Sequence, residues 1–332
     1  MKIIIPCAGK SSRYPNLRPK FLLTNPNGKL MIQDVMDHLF PKYEIIITVL
    51  KEHKEKYNLQ NIFGNMHVID ESASQSETIY KTLIDKEINE PFFVKDSDSI
   101  FKLNTIEEAY NYVCVDSLDN NSRIDVLNKS YVLGNPIKEI AEKKVISNYF
   151  SVGGYYFTDP KVFIRGYEES VVSGEKYISD VIKHLLSMNS FLIKEVSEYV
   201  DLGTIEDWHR WKSKHKSYFV DIDGVLVETS SRYFEPTWGT TKGIKENINT
   251  INNLYDNGSQ IIITTAREES FREITKEQLE REGVKYHQLV MGLLHSPRVM
   301  INDFSNSNPY PVSEAISIPR NGNLEHYIME RY

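Results

Sequence analysis

The chain begins with MKIIIPCAGKSSRYPNLRPKFLL (residues 1–23), an apolar run followed by a loop of small and basic residues. Its Gly-Lys-Ser matches the end of a nucleotide-binding P-loop, GxxxxGK[ST]. That pattern needs its first glycine because this residue lets the backbone turn around the phosphates. Counting back from Gly9, the first glycine position is Ile4, in the middle of the apolar run. The opening stretch is therefore not a P-loop.

The loop nevertheless has the composition of a phosphate-binding loop. Its small residues leave backbone N–H groups accessible, and Arg13 and Lys20 supply positive charge that can stabilise a departing pyrophosphate. The alternative is an ordinary turn between a strand and a helix, with both cations in solvent. These residues alone leave the two interpretations open.

Apolar strands alternate with amphipathic helices through the first part of the chain. The predicted strands lie at 2–8, 44–50, 65–70 and 91–96, and the predicted helices at 30–40 and 76–88. The strands are short and apolar, whereas the helices carry apolar residues every three or four positions. This alternation predicts an α/β fold with a mostly parallel sheet covered on both faces.

The pattern loosens at DWHRWKSKHKS (207–217) and restarts with SYFVDIDGVLVE (217–228). We therefore predict two domains, 1–212 and 213–332. In the second, smaller α/β domain the predicted strands lie at 218–222, 260–265 and 298–302, and the predicted helices at 244–257 and 269–282.

Composition narrows the function further. A chain of 332 residues is long enough for two domains, and a net charge of −7 argues against a nucleic-acid partner. The two cysteines, Cys7 and Cys114, exclude a disulfide framework and fit a reducing compartment. The apolar start is too short for a signal peptide, and no run approaches the ~20 apolar residues of a membrane span. We expect a cytoplasmic protein without membrane insertion; the sequence is compatible with a homo-oligomer and does not specify one.

The first loop resembles the signature of the sugar-phosphate nucleotidyltransferases (nucleotidyl-sugar pyrophosphorylases), A-G-x-G-[ST]-R-x-x-P followed by P-K-x-L. Ser11 stands where glycine is usual, and the spacer before Pro19 is shortened. The resemblance continues in order through SASQSET (72–78), FFVKDSDSIF (92–101), AEKKVISNYFSVGGYYF (141–157), GEKY (174–177) and DLGT (201–204). It implies a Rossmann-like nucleotidyltransferase domain with a mostly parallel mixed sheet.

The resemblance also implies a role for each matching residue. The nucleotide would contact Ala8, Gly9, Lys10, Ser11, Ser12, Arg13 and, at the base, Gln75. The acceptor would contact Gly153, Gly154, Tyr155, Glu175 and Asp180, and Lys143 would face its phosphate. Asp98, with Asp96 as the nearby alternative, and Asp201 would hold Mg²⁺.

These parts suit one reaction. The phosphate of a small sugar, polyol or amino-alcohol phosphate attacks the α-phosphorus of an NTP, and pyrophosphate departs. Both reactants are polyanions, so neutralisation and alignment by Arg13, Lys20, Lys143 and a metal ion dominate. A general base is unnecessary because a phosphate monoester is already anionic near neutral pH. The NTP is open among CTP, UTP and dTTP, with a weak preference for CTP.

The second domain carries DxDGxL at 221–226, IIITTAR at 261–267 and RVMINDFS at 298–305. Together these resemble the haloacid dehalogenase (HAD) superfamily, most of whose members are Mg²⁺-dependent phosphatases. In that family's scheme Asp221 is the nucleophile, Asp223 the acid and base, and Thr265, with Thr264 as the fallback, the phosphate ligand. Asp303 would hold Mg²⁺ with the Asp221 carboxylate and the Asp223 carbonyl, and Asn302 would support that site.

One departure and one length constraint qualify this resemblance. The family's usual lysine is absent from MGLLHSPRVMIND (291–303), where His295, Arg298 or the earlier Lys285 are the candidate substitutes. The gaps between the motifs are too short for a cap domain, so we expect a capless, open site.

The sequence thus predicts a fused enzyme that supplies activated precursors for bacterial surface polysaccharide. Two other interpretations stay open. In one, only the transferase is active and the HAD-like domain serves dimerisation or docking. In the other, the protein is a nucleotide-sensing binding module without turnover.

Overall fold

A computed structural model of the chain describes residues 1–11, 13–14, 17–39, 42–106, 109–120, 126–174, 177–213, 215–229, 238–302 and 313–329. The chain forms two compact units, Met1–His209 and Arg210–Tyr332. In these residues no helix combines the length and apolar character needed to cross a bilayer.

Eleven described strands and six helices belong to the first unit or begin in it. The strands are β1 (Lys2–Pro6), β2 (Glu44–Leu50), β3 (Met66–Ile69), β4 (Phe92–Lys95), β5 (Ser99–Lys102), β6 (Asn111–Ser117), β7 (Ser130–Leu133), β8 (Glu139–Glu142), β9 (Tyr149–Phe157), β10 (Phe191–Glu195) and β11 (Ser197–Asp201). The helices are α1 (Met31–Asp37), α2 (Lys51–Lys56), α3 (Gln75–Asp85), α4 (Pro160–Val172), α5 (Ile178–Leu185) and α6 (Ile205–Ser213).

The main sheet has the order β10-β6-β9-β4-β1-β2-β3, with β7 and β8 attached at β9. Every neighbouring pair along that order is parallel except the two pairs made by β9, which runs antiparallel to β4 and β6. The prediction of a mostly parallel sheet is confirmed. The interior strand β1 is apolar and buried from Ile3 to Pro6, as expected for a strand covered on both faces.

The sequence explains where the elements near the site begin. Helix α3 begins at Gln75 because the Ser74 hydroxyl accepts a hydrogen bond from the backbone N–H of Glu77, at 3.1 Å. The Glu77 carboxylate in turn accepts from the N–H of Ala73, so the two residues stabilise the helix start reciprocally. This arrangement fixes Gln75 at the first turn of the helix.

A small second sheet brings two distant segments together. Strands β5 and β11 pair antiparallel, with Asp201 opposite Ser99. The N–H of Leu202 also donates to the carbonyl of Asp98, at 2.9 Å. Asp98 and Asp201 are thus neighbours in space although about a third of the chain separates them.

The second unit contains a three-stranded parallel sheet in the order β12-β13-β14. Its elements are β12 (Ser217–Asp221), α7 (Lys245–Asp256), β13 (Gln260–Thr264), α8 (Arg272–Arg281), β14 (Gln288–Val290) and α9 (Glu325–Met329). The strands predicted at 218–222 and 260–265 and both predicted helices are confirmed to within a few residues. An apolar core formed by both sheet and helices includes Val220, Ile248, Ile263 and Leu279.

The strand predicted at 298–302 is wrong. Those residues form no strand, and Val299 and Ile301 are 79% and 91% exposed. The edge of β13 is instead paired by β14, and the ladder continues from the N–H of Thr265 to the carbonyl of Val290, at 3.0 Å. The apolar run at 298–302 was interpreted as a buried strand, but in the structure it lacks the hydrogen-bonded partner that a strand requires.

Candidate active site

The first unit contains a cavity of about 780 Å³ where the chain leaves β1 and β4. Residues predicted to bind substrates line it: Ala8, Gly9, Lys10, Ser11, Arg13, Lys20, Gln75, Asp98, Lys143, Gly153, Tyr155 and Asp201. Ser12 and Glu175 lie outside the described residues. The cavity is large enough for a nucleotide and a small second substrate.

The carboxylates of Asp98 and Asp201 face one shared space beside Gly203. A Cβ atom placed on Gly203 would lie 3.1 Å from Oδ1 of Asp201 and 3.7 Å from Oδ2 of Asp98. The N–H of Gly203 donates to the same Oδ1 of Asp201, at 3.0 Å. Nη1 of Arg13 lies 3.5 Å from the same point, so a side chain at position 203 would crowd both carboxylates and this guanidinium.

Three cations neutralise these two carboxylates. Lys20 forms an ion pair with Asp98, and Nη2 of Arg13 lies 3.8 Å from Oδ2 of Asp98. Nζ of Lys129 lies 2.5 Å from Oδ2 of Asp201. Burial alone would raise the pKa of Asp98, but Lys20 and Arg13 outweigh it and hold that pKa well below its usual range. Burial raises the pKa of Asp201, and Lys129 opposes that rise.

The donor set fits a hard cation such as Mg²⁺. Carboxylate oxygens are the preferred ligands of that ion, and it commonly takes only one or two carboxylates together with substrate phosphates and water. In the described part of the chain no group of three His, Cys, Asp or Glu residues forms a complete protein metal site. Asp98 and Asp201 would therefore hold Mg²⁺ together with a bound nucleotide.

Asp96, the alternative ligand, faces a different neighbour. Its carboxylate accepts a hydrogen bond from Nε2 of Gln75 and packs against Gly153, where a Cβ atom would lie 2.5 Å from Oδ2 of Asp96. Burial and the adjacent Asp98 raise the pKa of Asp96. The geometry therefore favours Asp98 over Asp96 as the partner of Asp201, and it leaves Oε1 of Gln75 to contact a nucleobase.

The loop predicted to bind phosphate adopts at Ser11 the left-handed conformation that glycine favours. Ser11 has φ +50°, and its carbonyl accepts from the N–H of Tyr14 at 2.8 Å. Its hydroxyl accepts from the backbone N–H of Lys20, at 3.1 Å. The serine thus connects the loop to the segment that carries Lys20. Gly9 has open space around it, so a ligand can approach its backbone closely.

Of the residues predicted to bind the acceptor substrate, some line the cavity and others support its wall. Lys143 has φ +56°, and its ammonium donates to the Tyr177 hydroxyl at 2.9 Å. Gly154 lies against Phe101 and Cys114, where a Cβ atom would come within 2.8 Å of either side chain. Asp180 accepts from the N–H of Tyr177 at 3.0 Å and so fixes the start of α5.

Residues that were not predicted include Lys129 and Glu142, which line the cavity, and Lys95, which is buried next to Asp96. Lys95 is fully buried below the Asp96–Asp98 turn and donates to the carbonyls of Asp96 and Ser99 at 2.9 and 2.7 Å. Glu142 accepts from the Ser179 hydroxyl at 2.8 Å and lines the cavity. A lysine inside the apolar run FFVK was a usable signal; Lys129, in a polar segment, gave none.

In the second unit, Asp221 ends β12 and Asp223 lies just beyond it, and cations contact both. Asp221 lies opposite Thr264 in the neighbouring strand, and Nη2 of Arg298 lies 3.4 Å from Oδ1 of Asp221. Burial raises the pKa of Asp221, and Arg298 opposes that rise. Arg267, which is fully buried, binds both oxygens of Asp223 at 2.7 and 2.9 Å.

The remaining predicted residues of this region are placed as follows. Thr265 is buried, and its hydroxyl accepts from the N–H of Arg267 at 3.1 Å. Lys285 pairs with Asp256 at 2.7 Å and not with Asp221 or Asp223. His295 and Asn302 are exposed, and Asp303 lies outside the described residues. The candidate substitute for the missing lysine is therefore Arg298.

Comparison with known proteins bears on the first unit. No protein-family model matches the sequence, and no curated protein is significantly similar to it. Among solved structures, the nucleoside-diphosphate-sugar pyrophosphorylase from Vibrio cholerae RC9 is similar with a TM-score of 0.55 and 18% identity, over 64% of this chain and 99% of that one. A protein assigned as a glucose-1-phosphate thymidylyltransferase from Bacillus anthracis has a TM-score of 0.52 and 25% identity, over 64% and 94%.

The inositol-1-phosphate CTP transferase from T. maritima is similar with a TM-score of 0.51 and 17% identity, over 62% of this chain and 90% of that one. The shared portion in each case is close to the share of the chain in the unit Met1–His209. The predicted nucleotidyltransferase fold is thus confirmed for about two-thirds of the chain.

Proposed function

We propose that the first unit transfers a nucleotidyl group from an NTP to a small phosphorylated sugar, polyol or amino-alcohol and releases pyrophosphate. The observation that carries the proposal is the convergence of Asp98 and Asp201 beside Gly203, with cations on both, in a cavity that also contains the phosphate loop. A family resemblance in sequence and the nucleotidyltransferase fold of the solved neighbours support it.

Different residues would bind the two polyanionic substrates. The loop around Gly9 and Ser11 would bind the triphosphate, and Arg13 and Lys20 would stabilise the departing pyrophosphate. Lys143 would orient the acceptor phosphate for in-line attack on the α-phosphorus. Mg²⁺ held by Asp98 and Asp201 would supply positive charge to the substrate phosphates.

The decisive experiment is a matrix of NTPs against phosphorylated sugars, polyols and amino-alcohols. We expect pyrophosphate release with one combination, with CTP the first nucleotide to try, and a product whose mass equals nucleotide monophosphate joined to acceptor. Release that requires both the NTP and the acceptor supports transfer. Binding of an NTP without pyrophosphate release in any combination would favour a nucleotide-sensing module instead.

We further propose that residues 213–332 form a HAD-type phosphatase domain that acts on a phosphomonoester of the same surface-polysaccharide pathway. Supporting observations are Asp221 and Asp223 at the end of β12, Thr265 after the neighbouring strand, and Arg298 beside Asp221. Asp221 would form the aspartyl-phosphate, and Asp223 would protonate the leaving oxygen. Mg²⁺ would be held by Asp221, Asp223 and Asp303.

One observation favours the competing interpretation, an inactive domain used for docking or dimerisation. Arg267 occupies both carboxylate oxygens of Asp223, so that carboxylate must exchange a partner before it can protonate a leaving group. Phosphate release from a panel of phosphomonoesters, compared between the wild type and Asp221→Asn, decides between them. Turnover that Asp221→Asn abolishes supports the phosphatase; no release by the wild type supports docking.

A further inference from the structure

We propose that Lys129 is a further substrate-binding residue of the first unit and that its ammonium contacts the phosphate of the acceptor. The proposal rests on the transferase activity proposed above and adds a residue to it. Lys129 is the last residue before β7, and its carbonyl accepts a hydrogen bond from the N–H of Lys143 at 2.8 Å.

The register of β7 and β8 brings these two lysines together. Ser130 pairs with Glu142, and the hydrogen bond between Lys143 and Lys129 continues the ladder by one position. Both lysines line the cavity. Two ammonium groups on the wall of one cavity stabilise a bound anion. The pair is therefore suited to an anionic ligand.

The ammonium of Lys129 is held firmly and retains binding capacity. Only 13% of its side chain is exposed, and it contacts Asp201 at 2.5 Å and the Tyr199 hydroxyl at 2.9 Å. An ammonium has three N–H donors, and these contacts use two of them. No other acceptor in the described part of the chain contacts this ammonium, so the third is available to an oxygen in the cavity. A charge whose geometry is already fixed loses little conformational entropy when it binds a ligand.

The surroundings indicate the acceptor and not the NTP. The cations from the phosphate loop, Arg13 and Lys20, pair with Asp98, whereas Lys129 pairs with Asp201. Next to Lys129 the wall of the cavity is formed by hydroxyl and carboxylate groups of β7, β8 and α5: Ser130, Glu142 and Ser179. Such groups can bind the hydroxyls of a sugar or polyol, which places its phosphate near the two lysines.

The test compares Lys129→Met with the wild type, using the most active acceptor of the matrix. We expect the KM for that acceptor to rise roughly tenfold to a hundredfold, as for loss of one charge-assisted hydrogen bond, with the KM for the NTP little changed. Lys129→Arg should recover part of the loss. An unchanged acceptor KM, or an equal rise in both KM values, would overturn the proposal. So would an effect that excess Mg²⁺ removes, because Lys129 would then act only by positioning Asp201.

Lys138→Met is the matched control, since Lys138 lies at the other end of the same hairpin and is exposed. It removes the same charge and should leave both KM values unchanged. Binding of inorganic phosphate, measured by calorimetry on the full chain, distinguishes failure of the transferase proposal from failure of the proposed Lys129 contact. If no combination in the matrix releases pyrophosphate, the transferase proposal fails. Phosphate binding weaker in Lys129→Met than in Lys138→Met would still support a phosphate contact, and equal binding would refute it.

Discussion

The two units place strand-end aspartates in different surroundings. Asp98 lies in the turn just before β5 and Asp201 ends β11, and their side chains are 14% and 15% exposed. Asp221 ends β12 and Asp223 follows it two residues later, and the Asp221 side chain is 40% exposed, with its cation Arg298 45% exposed. Charge interactions weaken as water approaches. Charge removal should therefore cost more activity in the first unit than at Arg298.

A second contrast concerns the fully buried cation near each pair of aspartates, Lys95 in the first unit and Arg267 in the second. Lys95 donates its three N–H groups to two carbonyls and the Ser99 hydroxyl, with no carboxylate among these acceptors. Arg267 instead binds the carboxylate of Asp223 with two parallel hydrogen bonds. A lysine can lose its proton when it is buried, whereas an arginine cannot. Burial lowers the pKa of Lys95 to about 8. The two buried cations should therefore respond differently to pH.

The largest expected effect is on the buried carboxylates. Asp98→Asn or Asp201→Asn should reduce pyrophosphate release roughly a hundredfold to a thousandfold, because the amide keeps the shape and removes the charge that holds the metal. Steady-state rates at saturating substrates measure this loss, and phosphate release by the second unit should be unaffected.

Asp96→Asn is the matched control for the same change two residues away. Asp96 contacts Gln75 and Gly153 and not the space beside Gly203, so we expect a loss of less than about tenfold. Equal losses in Asp96→Asn and Asp98→Asn would contradict the pairing of Asp98 with Asp201 as the metal ligands.

A smaller effect is expected in the second unit. Arg298→Met should lower phosphate release about tenfold, because the exposed guanidinium contributes one partly screened contact to Asp221. Initial rates on the best phosphomonoester measure it. Lys285→Met should have no effect, since Lys285 pairs with Asp256. If Lys285→Met is the more damaging change, the assignment of Arg298 as the substitute cation is wrong.

Much of the fold could be predicted because, in the correctly predicted strands and helices, the spacing of apolar residues matches the pattern of burial. After Lys2, the run KIIIP is apolar at every position, as a strand covered on both faces requires, and it forms the interior strand β1. The run at 298–302 has similar composition and forms no strand. Whether this run forms a strand depends on which segment pairs with the sheet. Local periodicity does not determine pairing between distant segments.

The same limit applies to the site. The sequence indicated Asp98 and Asp201 through motifs, yet their approach depends on the register between β5 and β11. Lys129 gave no signal because its relevance arises from that register and from the pairing of β7 with β8. Ser11 looked like a departure from a glycine pattern, and only the backbone angle shows that the conformation is retained.

The pH dependence of stability distinguishes the buried lysine from the buried arginine. In the unfolded chain Lys95 regains its usual, higher pKa, so between about pH 8 and about pH 10 the unfolded state binds more protons than the folded state. The burial penalty on the charged form is therefore complete at neutral pH and disappears as the pH rises. Relative to Lys95→Met, the wild type should gain roughly 2 kcal/mol between about pH 7 and about pH 10.

Urea unfolding of both proteins at the two pH values, followed in the transition of the first unit, measures this gain. Arg267→Met provides the comparison, because a guanidinium stays charged over the same range and its stability difference from the wild type should not change. A difference between the wild type and Lys95→Met that is constant with pH would show that Lys95 keeps its proton when buried.

The smallest expected effect is at Ser11, where two contributions of similar size oppose each other. Ser11→Gly relieves a left-handed backbone conformation, which costs a non-glycine residue about 1 kcal/mol, but it removes the hydroxyl that accepts from the N–H of Lys20, also worth about 1 kcal/mol. Ser11→Ala keeps the strain and loses the hydrogen bond. Thermal unfolding should therefore give Ser11→Gly a stability close to the wild type and Ser11→Ala a stability about 1 kcal/mol lower. Equal stability of the alanine variant and the wild type would mean that the hydroxyl contributes nothing to holding Lys20 against the loop, and the serine would then be a tolerated substitution for glycine.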